Sequence, residues 1–170
     1  MATNKVIKKN DTYYSNQVVW FWNGPFSNWY PCKFKDEVGT EYNCTEQYFM
    51  AKKAIMFGDN ACYNKIMASD SPKHQKQYGR QVTGFNGKKW DSKSYAIMVE
   101  ANKLKYKQNP ALAKFLLDTG NRLIAEASPY DKVWGILLDP EDPDVMDPSK
   151  WMGENRLGKA LAEVRTWLSK

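Results

Sequence analysis

Histidine is almost absent: the chain has one, His74, so any Ser-His-Asp or Cys-His arrangement would have to be built on it. It lies in "SPKHQKQYG", where Ser71 can cap a short helix, Pro72 suits the first turn and Gly79 the end. Lysines and glutamines surround it, so a solvent-facing side chain is expected. Cysteine is scarce too. Cys32, Cys44 and Cys62 form no CxxC pair, and a zinc site needs more soft ligands at closer spacing. An odd number of thiols with no secretory leader points to a reducing, cytoplasmic setting. No apolar run approaches the roughly 18 residues that cross a bilayer. No metal and no cofactor is expected.

What is present is ordinary for a folded chain of 170 residues: 42% apolar and 26% charged, enough for one domain with one core. Seven Trp and ten Tyr exceed what such a core needs, which leaves rings for flat surfaces that a planar ligand can use. The net charge is +6 and the pI 9.1, a field that favours phosphates or nucleic acid and also simply keeps a small protein in solution. The basic residues form short clusters, Lys52-Lys53, Lys73 to Lys76 and Lys88-Lys89, with no long basic tail.

Polarity makes residues 1–17 an N-terminal arm and 18–170 the folded domain. "VVWFW" (18–22) reads as a buried strand, "FSNWYPCKF" as a loop or second strand, and Gly39 as a turn. The stretch "YNCTEQYFMAKKA" (42–54) opens a helix reaching Phe57, stopped by Gly58, with Tyr48, Ala51 and Ile55 on one face, and Asp59 starts another. A long helix is expected over 91–108, capped by Asp91 and lined by Ile97, Ala101 and Leu104, then a shorter one after Asn109-Pro110. "RLIAEA" (122–127) and "VWGILL" (133–138) read as strands, and the last helix (155–168) aligns Leu157, Leu161, Val164 and Leu168. The three prolines of "DPEDPDVMDPSKWMG" forbid a regular element there. Its carboxylates lack the spacing and central Gly of an EF-hand, so it reads as a solvated loop. The fold class is α+β, a helix-rich single domain with a small sheet.

Chemistry concentrates in Glu46 and Lys53. Each has a plain explanation: Asn43 with Glu46 matches a capping box, and a lysine beside Lys52 is commonly a solvated charge. Their separation of seven residues is about two helical turns, about 10 Å of rise, on one face with Phe49 and Met50 between. A carboxylate and an amine on an aromatic face are what cleavage at a sugar's anomeric carbon requires. Spacing alone leaves open whether that face looks into a pocket or into water.

The ordered blocks "FSNWYP", "TEQYFMAKKA", "YGRQV" with "KKWDSKSYAIM", "YDKVWGI" and "GENRLGKALAEVR" resemble the YbiA-like, or NADAR, domains over residues 18–168. The resemblance implies an N-glycosidase. Some members hydrolyse phosphoribosylamino intermediates of riboflavin synthesis, and others remove ADP-ribose from guanine, including guanine in DNA. By position it places the family's acid on Glu46 and its helix lysine on Lys53, as the catalytic pair. The pocket tryptophans fall on Trp90 and Trp134. Substrate-binding positions fall on Phe26, Ser27, Asn28, Arg80, Asp131 and Asn155.

The YbiA type proper has an acid two residues after the second tryptophan, where this chain has Ile136. ADP-ribosyl-guanine therefore stands first as substrate and the riboflavin intermediate second. A non-catalytic module that binds ADP-ribose or nucleic acid through the same groups is the alternative of another class. A phosphoribosyl amine or an ADP-ribosylated base, alone or in DNA, is thus the expected partner, with no membrane.

Overall fold

The computed structural model describes residues 4–170. Along the chain run strands β1 (Ile7–Lys9), β2 (Thr12–Tyr14), β3 (Val18–Phe21), β4 (Phe34–Lys35) and β5 (Glu41–Tyr42). Helices α1 (Thr45–Met56), α2 (Asn60–Met67), α3 (Pro72–Arg80), α4 (Gly87–Gln108) and α5 (Pro110–Leu117) follow, then β6 (Leu123–Glu126) and α6 (Arg156–Leu168). The expected α+β, helix-rich class is the observed one. Packing divides the elements into two compact units, one of Met1–Ser27 with Ala111–Lys170 and one of Asn28–Pro110. Among the described residues no helix is long and apolar enough to cross a membrane.

In the first unit, β3 has buried side chains at every position, as a central strand needs when both faces are covered. It pairs antiparallel with β2 and parallel with β6, giving the order β1-β2-β3-β6 with Val18 opposite Leu123 and Phe21 opposite Glu126. Val18, Trp20, Ala125, Ala127, Ile136, Leu138 and Val145 form its core, and α6 covers β6 through Leu157, Leu161 and Val164.

The polar stretch expected as an arm differs from that expectation: from Ile7 onward it is a hairpin of the sheet, while residues 1–3 lie outside the described residues. Polarity is a poor guide here because β1 is an edge strand, exposed throughout, and the polar groups that are buried bond locally. Ser15 Oγ, for example, donates to the Val18 carbonyl at 3.1 Å.

The expected strand over 133–138 does not form. Asp131 Oδ1 accepts the N–H groups of Val133 (2.9 Å) and Trp134 (2.8 Å), which turns the chain. Leu137 then adopts a left-handed φ of 58°. Ile136 donates its N–H to the Glu126 carbonyl at 2.9 Å, so the apolar residues plug the core from a loop. The run is apolar because it is buried, and burial alone does not distinguish a strand from a looped plug. The carboxylates of the following loop bond to nearby backbone N–H groups: Asp139 holds that of Glu141, Asp142 that of Asp144 and Asp147 that of Ser149.

Asn155, with a left-handed φ of 55°, precedes α6 and ties it to β6: its Oδ1 accepts from Glu126 N–H (3.1 Å) and its Nδ2 donates to the Ile124 carbonyl (2.8 Å). The next turn comes so close that a Cβ at Gly158 would fall on the Ile124 carbonyl oxygen. Asn155→Ala should destabilise the protein by roughly 2–4 kcal/mol, measurable by chemical denaturation. It leaves two buried backbone groups without partners and keeps a non-glycine residue in the left-handed region.

In the second unit α1 lies against α2, α3 and α4. Ser71 caps α3 as expected, its Oγ accepting from His74 N–H at 3.3 Å, and His74 is exposed. α4 starts four residues before the expected cap, because Asn86 Oδ1 accepts from Lys89 N–H at 3.0 Å. Its buried face shares Ala101 with the expected stripe, leaves Ile97 and Leu104 only partly buried, and is carried further by Trp90, Met98, Asn102, Lys105 and Tyr106. Periodicity missed that face because two of its members are polar. Asp59 joins the start of α2 to the α3–α4 connection, accepting from Cys62 N–H (2.9 Å) and, on its other oxygen, from Thr83 N–H (2.8 Å).

Candidate active site

The site in the second unit is built on α1. Residues Thr45 to Ala51 are all buried, so the first two turns of this helix are packed on every side. The capping box expected of Asn43 and Glu46 is made by a different residue: Gln47 Oε1 accepts the Asn43 N–H at 2.7 Å, and its Nε2 donates to the Ile66 carbonyl at 3.2 Å. The cap position itself is Cys44, whose side chain makes no capping bond and instead donates to Gln75 Oε1 at 3.1 Å. Glu46 follows in the first turn of the helix. Its backbone N–H donates to the Asn28 carbonyl at 3.0 Å, and the residue is only 7% exposed.

Two turns on, Lys53 is half-buried. Its Nζ lies 4.5 Å from the centroid of Phe85 and 6.0 Å from that of Trp90. Trp90 is 8% exposed, and its ring is 4.9 Å from that of Phe49, which sits on α1 between the acid and the amine. Burial lowers the proton affinity of Lys53; the charge of Glu46 raises it and that of Arg80 lowers it further. Of the two cations that could depress Lys53, Arg80 does so, whereas Lys52 has its ammonium 5.1 Å from the ring of Tyr48.

Arg80 reaches this neighbourhood because α3 packs closely on α1: a Cβ at Gly79 would fall on Met50 Sδ. Near the N-terminus of α1, the buried Asn28 Oδ1 and Thr45 Oγ1 have no hydrogen-bond partner among the described residues. Glu46, Lys53, Arg80, Trp90 and Asn28, singled out from the sequence, thus belong to one unit, with the first four linked by charge or ring contact. Phe85 was not singled out. Its only sequence signal is an aromatic between Gly84 and Asn86 in a basic stretch.

The model of the NADAR domain matches residues 14–169. The chain belongs to the NADAR domain family. The N-glycosidase R617 of Acanthamoeba polyphaga mimivirus is 45% identical over 144 residues, 82% of this chain and 85% of that protein. The chloroplastic riboflavin biosynthesis protein PYRR of Zea mays is 28% identical over 87% of this chain, which spans 24% of that longer protein. Among solved structures, the NMR structure of the E. coli protein YbiA superposes with a TM-score of 0.72 at 28% identity, covering 91% of this chain and 86% of that one.

The other expected site residues of this NADAR domain belong to the first unit. Phe26 is fully buried, with ring centroids 5.6 Å from Phe21 and 4.9 Å from Phe115. Ser27, also buried, donates its N–H to the Gly24 carbonyl at 3.0 Å. Asp131 fixes the turn that presents the half-buried Trp134. Asn155 uses both of its amide atoms on the β6 backbone, so the side chain acts there as a structural tie.

Proposed function

We propose that this chain removes ADP-ribose from guanine, in a nucleoside or in DNA, by hydrolysing the bond between ribose and base. The broader activity, hydrolysis of N-glycosyl bonds, is the one named for its mimivirus relative. One observation carries the reading: Glu46 and Lys53 share the inward face of α1, with Phe49 between them and Trp90 beside the amine.

Breaking an N-glycosidic bond builds positive charge on the sugar's anomeric carbon and ring oxygen. A carboxylate in a water-poor site stabilises that charge strongly, which is the role of Glu46. Lys53 sheds its proton more readily than an exposed lysine, because of burial and Arg80. The neutral amine attacks the anomeric carbon, and the electron pair of the glycosidic bond leaves on the base nitrogen, which takes up a proton. The sugar ring opens to a Schiff base. Water then hydrolyses that imine, releasing ADP-ribose and restoring the amine. Asn28 Oδ1 and Thr45 Oγ1 suit the ribose hydroxyls, Arg80 a phosphate, and Trp90 a planar base.

A second reading, hydrolysis of a ribosylamino-pyrimidine, draws on the name of the maize relative. The residue where the YbiA type has an acid stands against it: Ile136 is fully buried in the apolar core. Incubation with ADP-ribosylated guanosine should release free ADP-ribose at least about tenfold faster than the pyrimidine is consumed, and the reverse order would overturn the choice of substrate. Borohydride added during turnover should trap an adduct on Lys53 that is lost in Lys53→Arg. Turnover without an adduct assigns the attack to water, with Lys53 as proton donor or phosphate contact.

A further inference from the structure

Phe85 lies outside every motif the sequence singles out, yet its ring is closer to the Lys53 amine, 4.5 Å from centroid to Nζ, than that of Trp90 at 6.0 Å. It sits in the α3–α4 connection, whose ends are held: Thr83 bonds to Asp59, and Asn86 caps α4. Gly84 between them has a φ of +70°, a conformation that glycine adopts without strain. The ring packs edge-to-face on Phe57, at 5.3 Å and 69°, and remains 48% exposed.

Four charged groups bear on this neighbourhood. Glu46 on α1 favours the charged form of Lys53, and Arg80 at the end of α3 opposes it. Lys52 is engaged with Tyr48, and Lys89 in the first turn of α4 lies 5.9 Å from the ring of Phe57. The face of a phenyl ring attracts an ammonium through its quadrupole and offers a neutral amine almost nothing. It therefore acts in the same direction as Glu46.

We propose that Phe85 is a positioning residue for Lys53: its ring face holds the amine in the charged form and beside Trp90. The contact is worth about 2- to 30-fold in the ratio of charged to neutral amine. It restrains the nucleophile of the proposed reaction, and only this consequence rests on that reading.

The test uses the full chain with pentafluorophenylalanine at position 85, which keeps the shape of the ring and makes its face electron-poor. Labelling of Lys53 by acetic anhydride is followed against pH by peptide mass spectrometry, with Lys52 resolved by fragmentation as the internal reference. The pH of half-maximal Lys53 labelling should fall by about 0.3–1.5 pH units while that of Lys52 stays in place. In Phe85→Trp, which offers a stronger π face, it should hold or rise. An unchanged midpoint in the fluorinated protein, or a fall in Phe85→Trp, would overturn the proposal. No substrate is needed, so the titration and the glycosidase reading fail separately. If both stand, the acid limb of kcat/KM in the fluorinated protein moves to lower pH by the same amount.

Discussion

Glu46→Gln should lower kcat for release of ADP-ribose by about 100- to 10,000-fold while leaving KM within a few-fold. The amide keeps the shape of the carboxylate and can still orient a ribose hydroxyl. It cannot offer a negative charge to the sugar as the glycosidic bond breaks, and that term appears only in the transition state. Because Gln47 takes the capping bond, loss of the carboxylate does not remove the helix cap. The unfolding free energy should therefore change little, and denaturation of the variant separates lost chemistry from lost structure. An equally active variant would remove Glu46 from the mechanism.

Lys105→Met should make the protein more stable at pH 7, by about 1–3 kcal/mol. Lys105 is fully buried on α4, with its Nζ 5.1 Å from the ring of Tyr106 and 5.9 Å from that of Tyr30. Burial pushes its ammonium down to about 8, against a smaller opposing pull from Cys32 and Cys44. Between that pH and the ordinary lysine range near 10.5, the unfolded chain holds a proton that the folded chain has released. Stability attributable to this group therefore rises with pH across that window, and below it the folded state bears the full penalty, on the order of 3 kcal/mol before the ring contacts offset part of it. Denaturation of wild-type and variant at several pH values from 7 to 10.5 should show the gap closing as pH rises. A gap independent of pH would show that Lys105 keeps its ordinary proton affinity in the fold.

Both residues show how local signals divide. Glu46 was legible because its type, its seven-residue spacing to Lys53 and the surrounding blocks coincide, although the local pattern around Asn43 fits a cap equally well. Only the packed helix shows that Gln47 reaches back to Asn43. Lys105, in "KLKYKQ", has the look of a solvated charge, and the apolar stripe that periodicity finds on α4 meets the true buried face only at Ala101. A long-range environment, Tyr30 and Cys32 included, makes this lysine unusual, and no window around residue 105 contains it. Phe85 is invisible for the same reason: its contact with Lys53 joins positions 32 residues apart. The hairpin of β1 and β2 was missed because an exposed edge strand has a loop's composition, and the 133–138 segment was misread because a buried loop has a strand's.

The chain's residues by themselves determined the α+β class, the helices of the second unit, the family and the acid and amine on one helix. All of these follow from short-range periodicity, capping chemistry and ordered motifs, which act between neighbours along the chain. The tertiary structure decided which way that helix faces, which cation weakens the hold of Lys53 on its proton, which ring strengthens it, and which lysine lies in the core. Those properties depend on dielectric surroundings and on contacts between distant positions, and neither exists until the chain has packed.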